Sequence, residues 1–178
     1  MEKTQLRSLI RQRKKAHTSE ELRRMSLQAA SSALDRIKKE ENCKTVLLYH
    51  SLPDEVDTHR LIDQVSQLGY KVLLPTVVGN DLELHEYTGT AALRASAAYG
   101  IQESTGELFA DYASIDLAII PGMAFTEDGK RLGRGKGYYD RLLPMLKCPL
   151  VGLAFPFQML DAIPCEEHDI SMDEVIWQ

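Results

Sequence analysis

Apolar residues recur at helical spacing through the first forty positions, and then the rhythm changes. Leu6, Leu9 and Ile10, with Arg13 continuing the spacing, predict a helix over residues 3–16. Thr18 followed by Glu21 reads as a capping box, so a second helix is expected from there to Glu40. Leu22, Met25, Ala29, Ala33 and Ile37 form its apolar stripe. From Thr45 onward, short continuous apolar runs take over. Thr45–Tyr49 (TVLLY) predicts a strand buried on both faces. Thr58–Leu68 predicts a helix capped at its end by Gly69, and Tyr70–Leu74 a strand stopped by Pro75. A turn at Gly79–Asn80–Asp81 leads into a more exposed strand over Leu82–Tyr87. Asp116–Ile120 predicts a third buried strand, ending at Pro121–Gly122. A helix over Tyr138–Lys147 follows, with Pro144 as a point of shortening or kinking. Strands are expected last at Leu150–Phe155 and Val175–Trp177.

Apolar strands alternating with helices imply βαβ units. The expected fold is α/β and three-layered: a mostly parallel sheet with helices on both faces. One domain is expected over residues 1–178, with the N-terminal helices (3–40) packed on the α/β body. Such sheets bind ligands beyond the carboxyl ends of their strands. The loops after Tyr49, Leu74, Ile120 and Phe155 are therefore the places to look for a site.

Composition narrows the class. At 178 residues with 44% hydrophobic and 26% charged positions, the chain can bury a full core and reads as soluble and globular. No apolar run approaches the ~18 residues that cross a bilayer, and the charged start MEKTQLRSLIRQRKK lacks the apolar stretch of a secretory signal. The cytoplasm is the expected compartment, with no membrane partner. Cys43, Cys148 and Cys165 are odd in number and form no CxxC pair, so neither a disulfide framework nor a zinc site is indicated. His17, His50, His59, His85 and His168 show no metal-binding spacing. Residues 1–39 carry eleven Lys/Arg against four Asp/Glu, so the remainder of a chain of net charge −5 is strongly acidic. That asymmetry points to a local anion partner and not to a general nucleic-acid binder.

Chemistry concentrates in Lys130–Arg141, KRLGRGKGYYDR. Gly133, Gly135 and Gly137 alternate with Arg134 and Lys136. Glycine permits positive φ and close backbone approach, so successive N–H groups can converge on an anion. The dipole of the helix expected from Tyr138 would add to this. Lys130, Arg131 and Arg141 complete five positive charges, a composition suited to a polyphosphate. The loop is no Walker motif, because Gly137 follows Lys136, and no dinucleotide fingerprint, because the third glycine comes one position early. Asp140 reads either as a helix-start charge or as a carboxylate holding Mg²⁺ against phosphates.

Pro121–Arg141, PGMAFTEDGKRLGRGKGYYDR, resembles the signature of the 5-formyltetrahydrofolate cyclo-ligase family. Three further pieces resemble that family in the same order. They are Lys3 and Arg7 in K-x-x-x-R spacing, YHSLPDEVDT at Tyr49–Thr58, and EEHDISMDEV at Glu166–Val175. The resemblance implies ATP- and Mg²⁺-dependent conversion of 5-formyltetrahydrofolate to 5,10-methenyltetrahydrofolate, with release of ADP and phosphate. The formyl oxygen is phosphorylated, N10 attacks the activated carbon, and phosphate leaves. It implies further that Lys3, Arg7 and the loop Arg131, Leu132, Gly133, Arg134, Gly135, Lys136, Gly137, Tyr138 and Tyr139 contact ATP. Arg134 through Tyr138, with His50 and Glu55, meet the folate. Arg134, Lys136 and Tyr138 are the implied catalytic side chains, and Asp140 and Asp169 the implied magnesium ligands. A carboxylate at Glu55 suits a pterin, whose amino group and ring N–H can both donate to it. The implied partners are the two substrates, with no nucleic acid, and the implied state is a monomer.

Two other classes of protein compete with this reading. A sugar-phosphate isomerase would need a general base and no nucleotide. An RNA-binding module on the basic helices would normally interleave aromatics, and residues 1–39 contain none.

Overall fold

The structure, a computed structural model, describes residues 1–96, 102–166 and 169–177. Its helices are α1 (Lys3–Lys15), α2 (Ser19–Lys39), α3 (His59–Gln67) and α4 (Tyr138–Leu142). The strands are β1 (Thr45–Leu47), β2 (Lys71–Val78), β3 (Asp81–Glu86), β4 (Leu93–Ala95), β5 (Gln102–Ser104), β6 (Leu108–Phe109), β7 (Leu117–Pro121), β8 (Ala124–Phe125), β9 (Arg131–Leu132), β10 (Leu150–Leu153) and β11 (Glu174–Ile176). Seven strands form one sheet in the order β11-β10-β7-β1-β2-β3-β6. The first five run parallel, while β3 and β6 join antiparallel at one edge. This is the expected mostly parallel α/β sheet, in a single domain.

The alternation within the strands builds both layers at once. Val46, Leu48, Leu117, Ile119 and Val151 face one side and meet Ala29, Ala33 and Ile37 of α2 and Leu61, Ile62 and Val65 of α3. Leu47, Leu73, Ala118 and Ile120 face the other, against Phe125, Leu142, Leu143 and Leu146. A third cluster docks α1: Leu6 and Ile10 are buried against Met123, Ala124, Leu132 and Ile163. The Thr18–Glu21 capping box starts α2 as expected.

One expectation is overturned, and one helix is shortened at the proline that was expected to shorten it. Pro75 does not stop a strand: β2 continues through it to Val78, and Pro75 pairs with Leu84. The reason lies in which way the backbone points. Leu73 O accepts from Leu48 N while Val72 O accepts from Tyr87 N, so odd positions face β1 and even positions face β3. Pro75 therefore turns its missing N–H toward the side where β1 has already ended at Leu47, and no ladder bond is lost. The helix expected to Lys147 ends at Leu142 and tightens into a 3₁₀ turn over Leu143–Met145, with Pro144 inside it. Five residues make a weak dipole, so any anion affinity of the preceding loop must come from its side chains and free N–H groups.

A candidate folate and nucleotide site at the carboxyl ends of the strands

The segment after β1 is cinched at its neck. Ser51 and Thr58 exchange backbone-to-side-chain bonds of 3.2 and 3.1 Å, and the Thr58 hydroxyl donates to Tyr49 O. The loop between them makes a tight turn in which Leu52 N donates to Glu55 Oε2 at 2.9 Å and Glu55 N donates back to Leu52 O. This turn drives Glu55 inward until its side chain is only 10% exposed. Burial pushes the Glu55 carboxyl above its ordinary value, against the opposing charge of Arg134. Burial also acts on Asp54, but there the Arg134 hydrogen bond and charge win and hold the carboxyl below the usual range.

The glycine loop arrives from β9. Gly135 and Gly137 adopt φ of +90° and +72°, so both positions need glycine. Arg7 fixes the loop from outside. Its Nε donates to Gly133 O at 2.8 Å, and its guanidinium lies 3.3 Å from where a Gly135 Cβ would stand. Arg131 is buried beneath the loop and donates to Pro121 O at 3.2 Å and to Asp140 Oδ1 at 2.8 Å. Lys3 donates to Asp169 Oδ2 at 2.9 Å and reaches Glu166 at 3.5 Å. Arg131 feels the charges of both Asp140 and Asp169. Among the described residues, Lys136 is the cation of the loop that has no carboxylate partner.

These elements enclose a cavity of about 930 Å³, counting its open mouth. His50, Glu55, Arg131 and Gly133–Asp140 line it together, which is where the resemblance put the folate and nucleotide contacts. Lys3, Arg7, Leu132 and Asp169 lie outside its lining. The Leu132 side chain is buried under α1, leaving only its backbone for a ligand, and its carbonyl already accepts from Met123 N. His168, within the acidic C-terminal motif, lies outside the described residues. His50 stacks on His59 with ring centroids 3.9 Å apart, and its buried Nδ1 has no hydrogen-bond partner among the described residues. Burial and the neighbouring His59 push the His50 imidazole down to about 4, so it is neutral at pH 7.

The sequence did not reveal the apolar wall. Leu52, Pro75, Val77 and Leu82 give the cavity a flat, greasy side, and Glu103 also reaches it. Val77 and Leu82 belong to the hairpin β2–β3, whose continuation past Pro75 was the missed signal. Asp54 was missed as well, although the Asp-Glu pair in LPDEVDT stood in plain view. As for a metal, Asp140 and Asp169 supply the hard oxygen donors that Mg²⁺ prefers, and Mg²⁺ commonly takes one or two carboxylates plus phosphate oxygens. Among the described residues, no cluster of three or more His, Cys, Asp or Glu gathers, at these two carboxylates or elsewhere, so phosphate oxygens would have to complete the set.

Comparison with known proteins defines the class. The chain matches the 5-formyltetrahydrofolate cyclo-ligase family over residues 1–178. It is similar to the 5-formyltetrahydrofolate cyclo-ligase of Mus musculus, at 32% identity over 97% of this chain and 92% of that one. It is similar also to the enzyme of the same name from Escherichia coli K12, at 31% identity with 94% and 96% covered. The solution structure of Aquifex aeolicus 5,10-methenyltetrahydrofolate synthetase superposes with a TM-score of 0.85 at 34% identity, covering 99% of this chain and 90% of that one. A synthetase from Mycoplasma pneumoniae shares the fold, with a TM-score of 0.79 at 23% identity over 99% and 98% of the two chains. A ligase of folate one-carbon metabolism is thus the class that fold and site define. The chain belongs to the 5-formyltetrahydrofolate cyclo-ligase family, whose reaction turns 5-formyltetrahydrofolate into 5,10-methenyltetrahydrofolate.

Proposed function

We propose that this protein carries out that conversion at the expense of ATP, with Mg²⁺, by phosphorylating the formyl oxygen. One observation carries the reading: a single cavity is lined both by a buried carboxylate beside an apolar wall and by a cationic glycine loop. The first pair suits a pterin, the second a polyphosphate. A formamide oxygen is a poor leaving group. Once it attacks the γ-phosphorus and ADP departs, the carbon bears a phosphate ester. The N10 lone pair then adds to that carbon, phosphate leaves with the former formyl oxygen, and loss of the N10 proton gives the methenyl cation. Such a route calls for alignment and charge neutralisation more than for a nucleophile.

The side chains divide accordingly. Glu55 accepts from the pterin amino group and ring N–H, and Leu52, Val77 and Leu82 pack its flat face. Lys136 and Arg134 offset the charge of the transferring phosphoryl group, and Tyr138 lies over the same stretch of cavity. His50, neutral and against the wall, contacts folate as an uncharged ring. Asp140 and Asp169 would hold Mg²⁺, which when bound draws off negative charge from the phosphate oxygens. Lys3 and Arg7 take part from α1, Arg7 by setting the loop and both by adding positive charge beside it.

The reading is tested with purified protein, 5-formyltetrahydrofolate and Mg²⁺, with and without ATP, following the near-ultraviolet absorbance of the methenyl product. Absorbance should rise only when ATP and Mg²⁺ are both present, with one ADP per methenyl group. A folded preparation that forms no methenyl product under those conditions would end the proposal.

A further inference from the structure

Arg134 is gripped by two carboxylates that are adjacent in sequence but differ in setting. Its Nε donates to Glu55 Oε1 at 3.1 Å, and a terminal nitrogen bonds Asp54 Oδ1. Glu55 lines the cavity, whereas Asp54 lies outside its lining with a side chain 38% exposed. The turn that carries both is firmly mounted. Ser51 and Thr58 pin its neck, and Lys14 of α1 donates to Pro53 O at 2.7 Å. If a pterin takes the Glu55 carboxylate, Arg134 loses its partner inside the cavity and keeps the one outside.

We propose that Asp54 is a positioning residue that holds the Arg134 guanidinium at the cavity once folate has claimed Glu55. A guanidinium has five N–H donors in a rigid fork. Asp54 and Glu55 share the terminal nitrogen Nη2, and Glu55 alone takes Nε, so departure from Glu55 leaves Asp54 holding Nη2 and frees Nε for the nucleotide phosphates. In this structure Nε is spent on Glu55. Folate binding therefore makes Arg134 available to ATP, and the two substrates bind with positive coupling. The inference rests on the reading above that Glu55 receives the pterin. It adds a role for Asp54 and an energetic link between the two subsites.

Calorimetry with the non-hydrolysable analogue β,γ-imido-ATP and Mg²⁺, with and without saturating 5-formyltetrahydrofolate, reads this link. In the wild-type protein folate should raise analogue affinity about fivefold or more, the usual lower bound for coupled sites. Asp54→Asn should leave analogue affinity without folate within about twofold and abolish the enhancement. Its kcat should fall about tenfold, and its folate affinity with the analogue bound should fall by the factor of the lost enhancement, because coupling is reciprocal, while folate affinity without nucleotide stays within about threefold. An Asp54→Asn protein that keeps the enhancement and its kcat overturns the proposal. So does one that loses folate affinity in the absence of nucleotide, because Asp54 would then merely support the turn. Arg134→Lys, which keeps the charge but cannot fork across two carboxylates, should lose the enhancement too. Its retention there would also overturn the idea, whether or not Asp54→Asn folds. A wild-type protein that neither binds folate nor forms methenyl product defeats the underlying reading itself, a result visible before any variant is made.

Discussion

Glu55 shows how far a single side chain is bent toward its task. A carboxylate 10% exposed and pushed above its ordinary value is a poor choice for stability. A raised carboxyl pKa means that the folded state favours the protonated form, so its contribution is lost as pH climbs through the folded value. At neutral pH the ionised group is therefore a cost, offset by Arg134. Glu55→Gln should weaken folate binding at least tenfold, the lower end of ~1.5–3 kcal/mol for a charge-assisted pair. Neither ATP affinity nor the melting temperature of the ligand-free protein should fall. Loss of both affinities together with a lower melting temperature would make Glu55 structural. His50 offers a pH test of opposite sign. Its imidazole is depressed to about 4, so the unfolded chain takes up a proton near 6.5 while the folded one does not. Stability contributed by neutral His50 is present above the unfolded value and drains away between pH 6.5 and about 4. The fall in melting temperature over that window should be smaller in His50→Asn than in the wild type. Equal falls would contradict the burial argument.

Among the elements, α1 has a double attachment. Leu6 and Ile10 fix it to the body, while Lys3 and Arg7, one turn apart, reach the site through Asp169 and Gly133. Full burial contributes roughly 1.5–3 kcal/mol for each such aliphatic side chain, so docking should survive removal of both charges. Lys3→Ala/Arg7→Ala should weaken ATP binding at least tenfold, given ~1.5–3 kcal/mol for each charged contact. The melting temperature without nucleotide should change little. Unchanged ATP affinity would reduce both residues to a solvated face, and a collapse in melting would make them part of the scaffold. The long elements were legible in the chain because their periodicity is sustained: α1, α2, α3 and the buried strands fall within a few residues of expectation. The paired segments β4–β5, β8–β9 and β6 are two or three residues long and carry no period to read. Pro75 misled because the local rule about proline in strands depends on where the neighbouring strand stops, which is a tertiary fact. The glycine loop was visible as composition, but Glu55 and Asp169 emerged only through the family's motifs. Asp54 needed the three-dimensional pairing with Arg134 to stand out.

On the scale of the whole molecule, the sheet delivers its ligand loops to one end. The loops after β1 and β7 and the glycine loop before α4 meet there, as the rule for open α/β sheets anticipates. The loop after β10, which that rule also nominated, does not line the cavity. Each carboxylate that the proposal gives to a substrate or metal is paired here with a cation that it gives to phosphate: Glu55 with Arg134, Asp140 with Arg131, Asp169 with Lys3. On the proposed reading, these internal pairs give way to substrate pairs as the active state assembles. The proposed reaction requires the formyl oxygen to be the phosphoryl acceptor within this cavity. With ¹⁸O placed in the formyl group of 5-formyltetrahydrofolate, mass analysis of the phosphate released during methenyl formation tests that claim most directly. The label should appear in inorganic phosphate, one atom for each methenyl group formed, whereas unlabelled phosphate with the label lost to water would contradict it.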